Sequence, residues 1–354
     1  MRILRKTFFY GLFLALFAGL LIALGAGFYL WRVVHRPVPD SVTRTLIIPR
    51  GASVDRIAHL LQDHRVIPAW WTFSIQVRLR GQTTHLKAGE YRFDPGRSVQ
   101  SVMEHLIRGD TVLHFLTIPE GLTSPQIVAL LKAESKLTGS IVIPPPEGSL
   151  LPETYAFSRG AARQTIVDTM TEALDKSLKD LWVGRDPTMP LKTRKEVLIL
   201  ASIVEREAFI AAEQPRIAAV FLNRLGKGMP LQSDPTVIYG LARKNAAPLG
   251  RPLSRADLKI ATPFNTYLIP GLPPTPICHP GLGAIRAVLH PMKTDELYFV
   301  ADGSGGHAFA KTAKHHRQNH AKWRQIRNKI QQKLRQEAKS AKSAKEAEKE
   351  KGET

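Results

Sequence analysis

From Phe8 to Trp31 the chain carries no charged residue: "FFYGLFLALFAGLLIALGAGFYLW". Such a run has few ways to fold. At about 1.5 Å per residue a helix over this stretch is roughly 36 Å long, enough to cross a hydrocarbon core of about 30 Å. A signal-peptide apolar region is shorter and is followed by a small-residue cleavage site, whereas this run leads into "RVVHRPVPD". The expectation is an uncleaved single-pass anchor over residues 8–31, with residues 1–7 as a cytoplasmic arm. Arg2, Arg5 and Lys6 favour that side for the arm, although Arg32 and Arg36 make the bias modest. Tyr29 and Trp31 suit the far interface. A buried helix of a soluble core is the alternative, and uniform apolarity over this length argues against it.

Beyond the anchor, residues 32–43 contain Pro37 and Pro39 and read as an extended tether. A pattern then recurs. "LIIPRGASVDRIAHLL" begins at Leu46, "LTIPEGLTSPQIVALL" begins at Leu116, and "GRSVQSVMEHL" from Gly96 is a fainter copy. Each places a strand before a Ser/Thr N-cap (Ser53, Ser98, Thr123 or Ser124) and an amphipathic helix. With strands over 88–93 and 112–118, residues 44–118 form a small α+β module. Its strand–helix–helix–strand order resembles LysM-type glycan binders; a purely positioning module is the alternative. A larger mixed α+β domain follows over 119–328. It has a helix over 163–182, one long helix or a pair over 193–225 with Pro215 opening the second, and a strand–turn–strand over 297–309. Trp323, Ile326, Ile330 and Leu334 make one apolar stripe. Residues 329–354 read as a basic tail, solvated or disordered. The formal net charge of +20 favours anionic partners. The one cysteine, Cys278, permits no intrachain disulfide and no cysteine-based metal site.

"LILASIVEREAF" (198–209) reads as the middle of a buried helix, yet it holds Glu205, Arg206 and Glu207. At about 100° per residue, Lys195, Ser202, Arg206 and Glu213 form the polar strip, and neither glutamate lies on it. Glu205 falls beside Leu198, Ala201, Phe209 and Ala212, with Ser202 and Ala208 also small. Glu207 falls beside Leu200, Ile203 and Glu196. A carboxyl group set against apolar atoms is desolvated, which raises its pKa toward the range of a general acid. Small neighbours leave room for a substrate beside Glu205, while Glu207 suits a structural ion pair. A salt-bridge role for both stays open on spacing alone. "QSDPTVIYG" contributes Gln232, Asp234 and Tyr239, with Asp234–Pro235 also readable as a helix start. "FNTY" and "DGSGGHAF" contribute Asn265, Tyr267 and His307 as groups that could contact sugar. His315, His316 and His320 sit among Lys and Arg without a paired carboxylate, so no metal is expected. No P-loop, dinucleotide fingerprint or Gly-x-Ser-x-Gly elbow is present, so no cofactor is expected. The basic charge would suit nucleic acid, but an ectodomain behind an anchor makes that partner unexpected.

"LASIVEREA", "AAVFLNRLGKGMPLQSDPTVIYG", "FNTYLIPGLPPTPICHPG" and "LYFVADGSGGHAF" closely resemble, in order, the endolytic murein transglycosylase family of bacterial inner membranes. The resemblance spans the anchor, the module and the larger domain to about residue 325. It departs at the basic tail and at "KNAAPLGR" (244–251). It implies a lyase that cleaves the β-1,4 bond between N-acetylmuramic acid and N-acetylglucosamine in nascent strands and leaves a 1,6-anhydro end. It implies that the glutamate of Ser-Ile-Val-Glu, Glu205, is the catalytic group, and that 119–328 is a periplasmic catalytic domain tethered to the inner membrane. Peptidoglycan strands would be the substrate, and peptidoglycan synthases are candidate partners. A non-catalytic, membrane-anchored glycan-binding scaffold is the rival from another class. A hydrolase pairing Glu205 with Asp234 is a third reading, distinguished by its reducing-end products.

Overall fold

The computed structural model describes residues 2–37, 42–208 and 210–352 and divides them into two compact units. The first unit opens with α1 (Arg2–His35), the one helix among the described residues long and apolar enough to cross a membrane. It continues through β1 (Arg44–Ile48), α2 (Val54–Asp63), α3 (Trp70–Leu79), β2 (Gly89–Phe93), α4 (Val99–Arg108) and most of β3 (Leu113–Thr117). Arg32–His35, expected in the tether, belongs to α1, and tether residues 38–41 lie outside the described residues.

β1 and β2 pair antiparallel with Leu46 opposite Tyr91. Period-2 alternation sends Leu46, Ile48, Tyr91 and Phe93 into the core and leaves Ile47 exposed. The expected N-caps form: the Ser53 hydroxyl accepts from the Arg56 N–H at 3.3 Å, and the Ser98 hydroxyl from the Ser101 N–H at 3.2 Å. Asp55 ties α2 to α3 by accepting from Ser74 Oγ and Arg78 Nη2, each at 2.7 Å. Ile57, Leu61, Phe73, Val77, Val102 and Leu106 complete this core, and Val34 from the last turn of α1 is buried among them.

The second unit holds α5 (Ser124–Ala133), the start of β4 (Thr154–Ser158), α6 (Arg163–Val183), α7 (Arg194–Glu207), α8 (Gln214–Gly226), α9 (Asp234–Asn245), α10 (Leu282–Leu289), β5 (Tyr298–Ala301), β6 (His307–Ala310) and α11 (Ala313–Gly352). β3 pairs with β4, and β5 pairs with β6 antiparallel. α7 is central. Val197, Leu200, Ala201, Ile203 and Val204 are buried against Ile217, Ala218 and Phe221 of α8 and Ala284, Ile285 and Val288 of α10. A capping box opens α7: Thr193 Oγ1 accepts from the Glu196 N–H at 3.2 Å, and Glu196 Oε2 accepts from the Thr193 N–H at 2.8 Å.

Residues 193–225 are thus a helix pair, separated by a short 3₁₀ turn at Ala211–Glu213. α11 runs on to Gly352, where a solvated or disordered tail was the expectation; its Ala, Lys, Gln and Glu residues are strong helix formers.

Candidate active site

The backbone turns extended at Ala208, with φ −87° and ψ 102°, so Glu205, Arg206 and Glu207 occupy the last turn of α7. Ala212 therefore lies beyond the helix and does not share its face, and Phe209 lies outside the described residues. The polar strip expected from periodicity is corrected in the same way. Glu213 belongs to the 3₁₀ turn, and Ser202 is fully buried, donating to the Ile199 carbonyl at 2.7 Å and accepting from the Ile277 N–H at 3.0 Å.

That second bond lays the 277–281 segment along α7. Two further backbone bonds clamp the 121–122 loop to it: the Gly121 N–H donates to the His279 carbonyl at 2.9 Å, and the His279 N–H to the Leu122 carbonyl at 2.8 Å. Glu205 sits where these three pieces meet. It is half-buried, and its Oε2 accepts from the Gly281 N–H at 3.1 Å. One glycine makes room for a second carboxyl group: a Cβ on Gly281 would collide with Glu120, whereas a Cβ on Gly121 would meet Glu205 Cγ at an ordinary 3.7 Å, and what that position requires of glycine is its φ of 75°. Burial holds the Glu205 pKa above the ordinary glutamate value; the Gly281 N–H opposes that rise, nearby Glu120 adds to it and Arg206 opposes it. The C-terminal end of a helix also disfavours a carboxylate.

Glu120 is the carboxyl group that sequence reasoning missed. Its signal lay in the repeat, since Glu120 stands where the first copy has Arg50. Desolvation and neighbouring Glu153 push its own pKa up.

Gly121, Arg206 and Ile277 also line a cleft of about 700 Å³. Its polar lining includes Ser124, Glu147, Tyr239 and Arg243, and much of the rest is Ala, Pro and Ile. Glu147 Oε1 accepts from the Ser124 N–H at 2.9 Å, and Oε2 from the Tyr239 hydroxyl at 3.1 Å. Burial raises the Glu147 pKa, and these donors moderate the rise. Ser124, His279 and Glu147 resemble a nucleophilic triad by composition only. The Leu150 N–H donates to His279 Nδ1 at 3.0 Å, so the neutral ring carries its proton on Nε2, 2.9 Å from Ser124 Oγ and 3.5 Å from Glu147 Oε1. A ring nitrogen already bearing a proton cannot take one from Ser124. Burial pushes the His279 pKa down to about 4.

Glu207 points to a different neighbourhood. The ion pair expected for it is replaced by a hydroxyl: Ser233 Oγ donates to its Oε1 at 2.6 Å. Desolvation raises its pKa to about 7, with the Ser233 bond opposing and Asp234 assisting. Of the six expected sugar contacts, only Tyr239 lines the cleft. Asp234 opens α9, one residue after the cap position at Ser233, and accepts from the Tyr267 hydroxyl at 2.6 Å. His307 is held by Glu213, with Nδ1 2.6 Å from Oε2 and its N–H donating to Oε1 at 3.0 Å. Gln232 is exposed at a φ of 55°. Asn265 is fully buried; its Nδ2 donates to the Leu258 and Ile260 carbonyls and its Oδ1 accepts from the Tyr267 N–H, so in this structure it shapes the loop. Among the described residues no three His, Cys, Asp or Glu side chains gather as metal ligands do.

An apolar N-terminal helix, an α+β module and a helical unit that sets half-buried carboxyl groups near an open cleft define a class: an α+β protein with an apolar helix ahead of a cleft-bearing helical unit. The family is specific. A model described as the YceG-like family matches residues 46–322, and the chain belongs to that family. It is 33% identical to an endolytic murein transglycosylase of Bacillus subtilis (strain 168), over 87% of this chain and 92% of that protein. It is 30% identical to an endolytic murein transglycosylase of Streptococcus pneumoniae serotype 2, over 75% of this chain and 55% of that protein. A crystal structure of a YceG-like protein from Listeria monocytogenes is 30% identical and superposes with a TM-score of 0.49, over 78% of this chain and 98% of that one.

Proposed function

We propose that the chain is an endolytic peptidoglycan lytic transglycosylase with Glu205 as its single acid and base. The observation that carries this reading is the Glu205 carboxyl group, kept toward its protonated form by burial at the end of α7 and adjoining the walls of the cleft. Protonated Glu205 donates to the oxygen bridging N-acetylmuramic acid and N-acetylglucosamine. The C1–O bond breaks and the N-acetylglucosamine 4-hydroxyl leaves. The resulting carboxylate then takes the proton of the muramyl 6-hydroxyl as that oxygen closes on C1. The acid is restored and the 1,6-anhydro ring forms without water, so no second catalytic carboxylate is needed, in contrast to ordinary glycosidases.

In the same reading the βααβ order of residues 44–93 serves as a LysM-like hold on the glycan. α1 is an inner-membrane anchor with its N-terminus cytoplasmic, the larger unit is periplasmic, and wall synthases are its partners. Gln232, Asp234, Tyr267 and His307, which lie outside the lining of the cleft, contact the strand beyond it. Glu205→Gln preserves side-chain volume and removes the proton donor. Its expected result is loss of anhydro-muropeptides from isolated sacculi, read by mass spectrometry, with the wild-type circular dichroism spectrum retained. Wild-type protein that binds sacculi without releasing anhydro ends supports the scaffold reading, and reducing ends support a hydrolase.

A further inference from the structure

We propose that Tyr239 and Glu147 form an acetamido-recognition subsite, in which the Tyr239 oxygen accepts the amide N–H of an N-acetylated sugar and the small apolar wall receives its methyl group. The proposal rests on the glycan-cleaving reading above and names what its cleft selects.

As a carboxylate, Glu147 offers only acceptors. Ser124 engages Oε1 through its N–H at 2.9 Å and its hydroxyl at 3.4 Å, and the Nε2–H of His279 lies 3.5 Å from the same oxygen. The Leu150 N–H fixes that ring tautomer. Oε2 is left for Tyr239, so the phenolic proton is committed to Glu147 at 3.1 Å. Donors therefore point one way along the chain, and the exposed end of the chain is an acceptor. Phe264 packs edge-on against the Tyr239 ring, 4.9 Å between centroids, and holds it in place. Burial raises the Tyr239 pKa and nearby Arg243 opposes that rise; with its one proton given to Glu147, the phenolic oxygen can only accept from a ligand.

Around this acceptor the cleft is walled by Pro235, Ile238, Ala242, Ala246 and Pro248. A neutral amide N–H with an adjoining methyl matches both features. A sugar bearing a 2-hydroxyl can donate but leaves the wall unfilled. A 2-amine can donate but brings no methyl to the wall, and where it is protonated it also meets the positive charge of Arg243.

The test is binding of three hexasaccharides to the full chain in nanodiscs at about pH 8: N-acetylglucosamine hexamer, its de-N-acetylated counterpart and cellohexaose. Wild type should bind the acetylated probe at least 10-fold tighter than either other. Tyr239→Phe should lose that preference. Glu147→Gln is the sharper variant. Its amide oxygen must face the Ser124 N–H, so its NH₂ donates to Tyr239 and turns the phenolic proton into the cleft. Volume and hydrogen bonding survive while the polarity inverts. Loss of preference in Glu147→Gln with an unchanged melting temperature supports recognition over a structural role. Equal wild-type binding of the three probes overturns the proposal, and so does a wild-type preference retained by Glu147→Gln. Release of anhydro-muropeptides by wild type is scored separately, so the proposal can fail while the activity stands.

Discussion

Glu205 and Glu207 are two residues apart, and the end of α7 gives them different partners. Glu205 stood out in the sequence as a candidate, because a carboxylate off the polar strip of a buried helix is costly unless it has a use, but spacing left a salt bridge open and only the family resemblance singled it out. Its neighbours were not legible. Glu120 arrives from a loop far upstream that backbone bonds to His279 hold in place, and no local periodicity reports such a contact. Ser202 looked like surface because one-dimensional pattern cannot tell a solvated hydroxyl from one that binds a passing Ile277 N–H. Glu120→Gln removes the like charge that helps raise Glu205, so Glu205 loses its proton at lower pH. Activity that needs the protonated acid should then fall off earlier on the alkaline side, and a kcat/KM profile against pH with defined glycan strands checks the direction. Glu207 gives a stability prediction. Its folded pKa is raised from 4.5 to about 7. The folded state therefore holds the proton more tightly than the unfolded state, and this contribution is complete below about pH 4.5 and lost as pH rises through about 7. The difference is on the order of 3 kcal/mol. Glu207→Gln keeps an acceptor for Ser233 and has no charge to bury. The variant should unfold at higher urea than wild type at pH 8, and the gap should shrink toward pH 5.

At the level of elements, α7 is the part on which the site depends. Its start was readable: "TRKE" places Thr193 and Glu196 at capping-box spacing, and both reciprocal bonds form. Its end was not. Apolar periodicity continues through Ala212 in the sequence, yet the helix stops at Glu207, because the Glu205 and Glu207 side chains and the following turn are engaged by Gly281, Ser233 and His307 from distant loops. Tertiary contacts outweighed local pattern at the end of α7. Strands fared better: "YFVA" pairs with β6 across the glycine-rich "DGSGG" turn, and "EYRF" shows its own period-2 alternation between Gly89 and Pro95, although its partner β1 lies beyond α2 and α3. Thr193→Ala removes the hydroxyl that accepts from Glu196 and should cost about 1 kcal/mol. The lost cap lies at the far end of α7 from Glu205. Thermal unfolding should therefore shift down by about 2–4 °C with the rate of anhydro-product release unchanged. A rate loss at full occupancy of the folded state would show that register along α7 is set from its N-terminus.

Across the whole molecule, the apolar N-terminal helix and the first unit share one core. Between Leu12 and Trp31, α1 exposes most of its large apolar side chains, an arrangement suited to lipid. Three residues after Trp31 the same helix buries Val34 to 1% exposure among the residues of α3 and α4, with Leu30 packed beside it. The apolar helix is thus continuous with the fold, since Val34 has joined the core before the helix ends at His35. A boundary placed at the end of the apolar run, which hydropathy alone recommends, cuts through this packing. Full burial of a valine is worth about 1.5–3 kcal/mol. A soluble fragment that starts at Arg36 should be less stable in its first unit by about that amount than one that starts at Tyr29, seen as faster hydrogen exchange in α3 and α4 and a lower urea midpoint by Trp70 and Trp71 fluorescence. Val34→Ala in the longer fragment should reproduce part of the same loss. Equal midpoints for the two fragments would instead make Val34 a passive end of the anchor and leave the first unit's core complete without it.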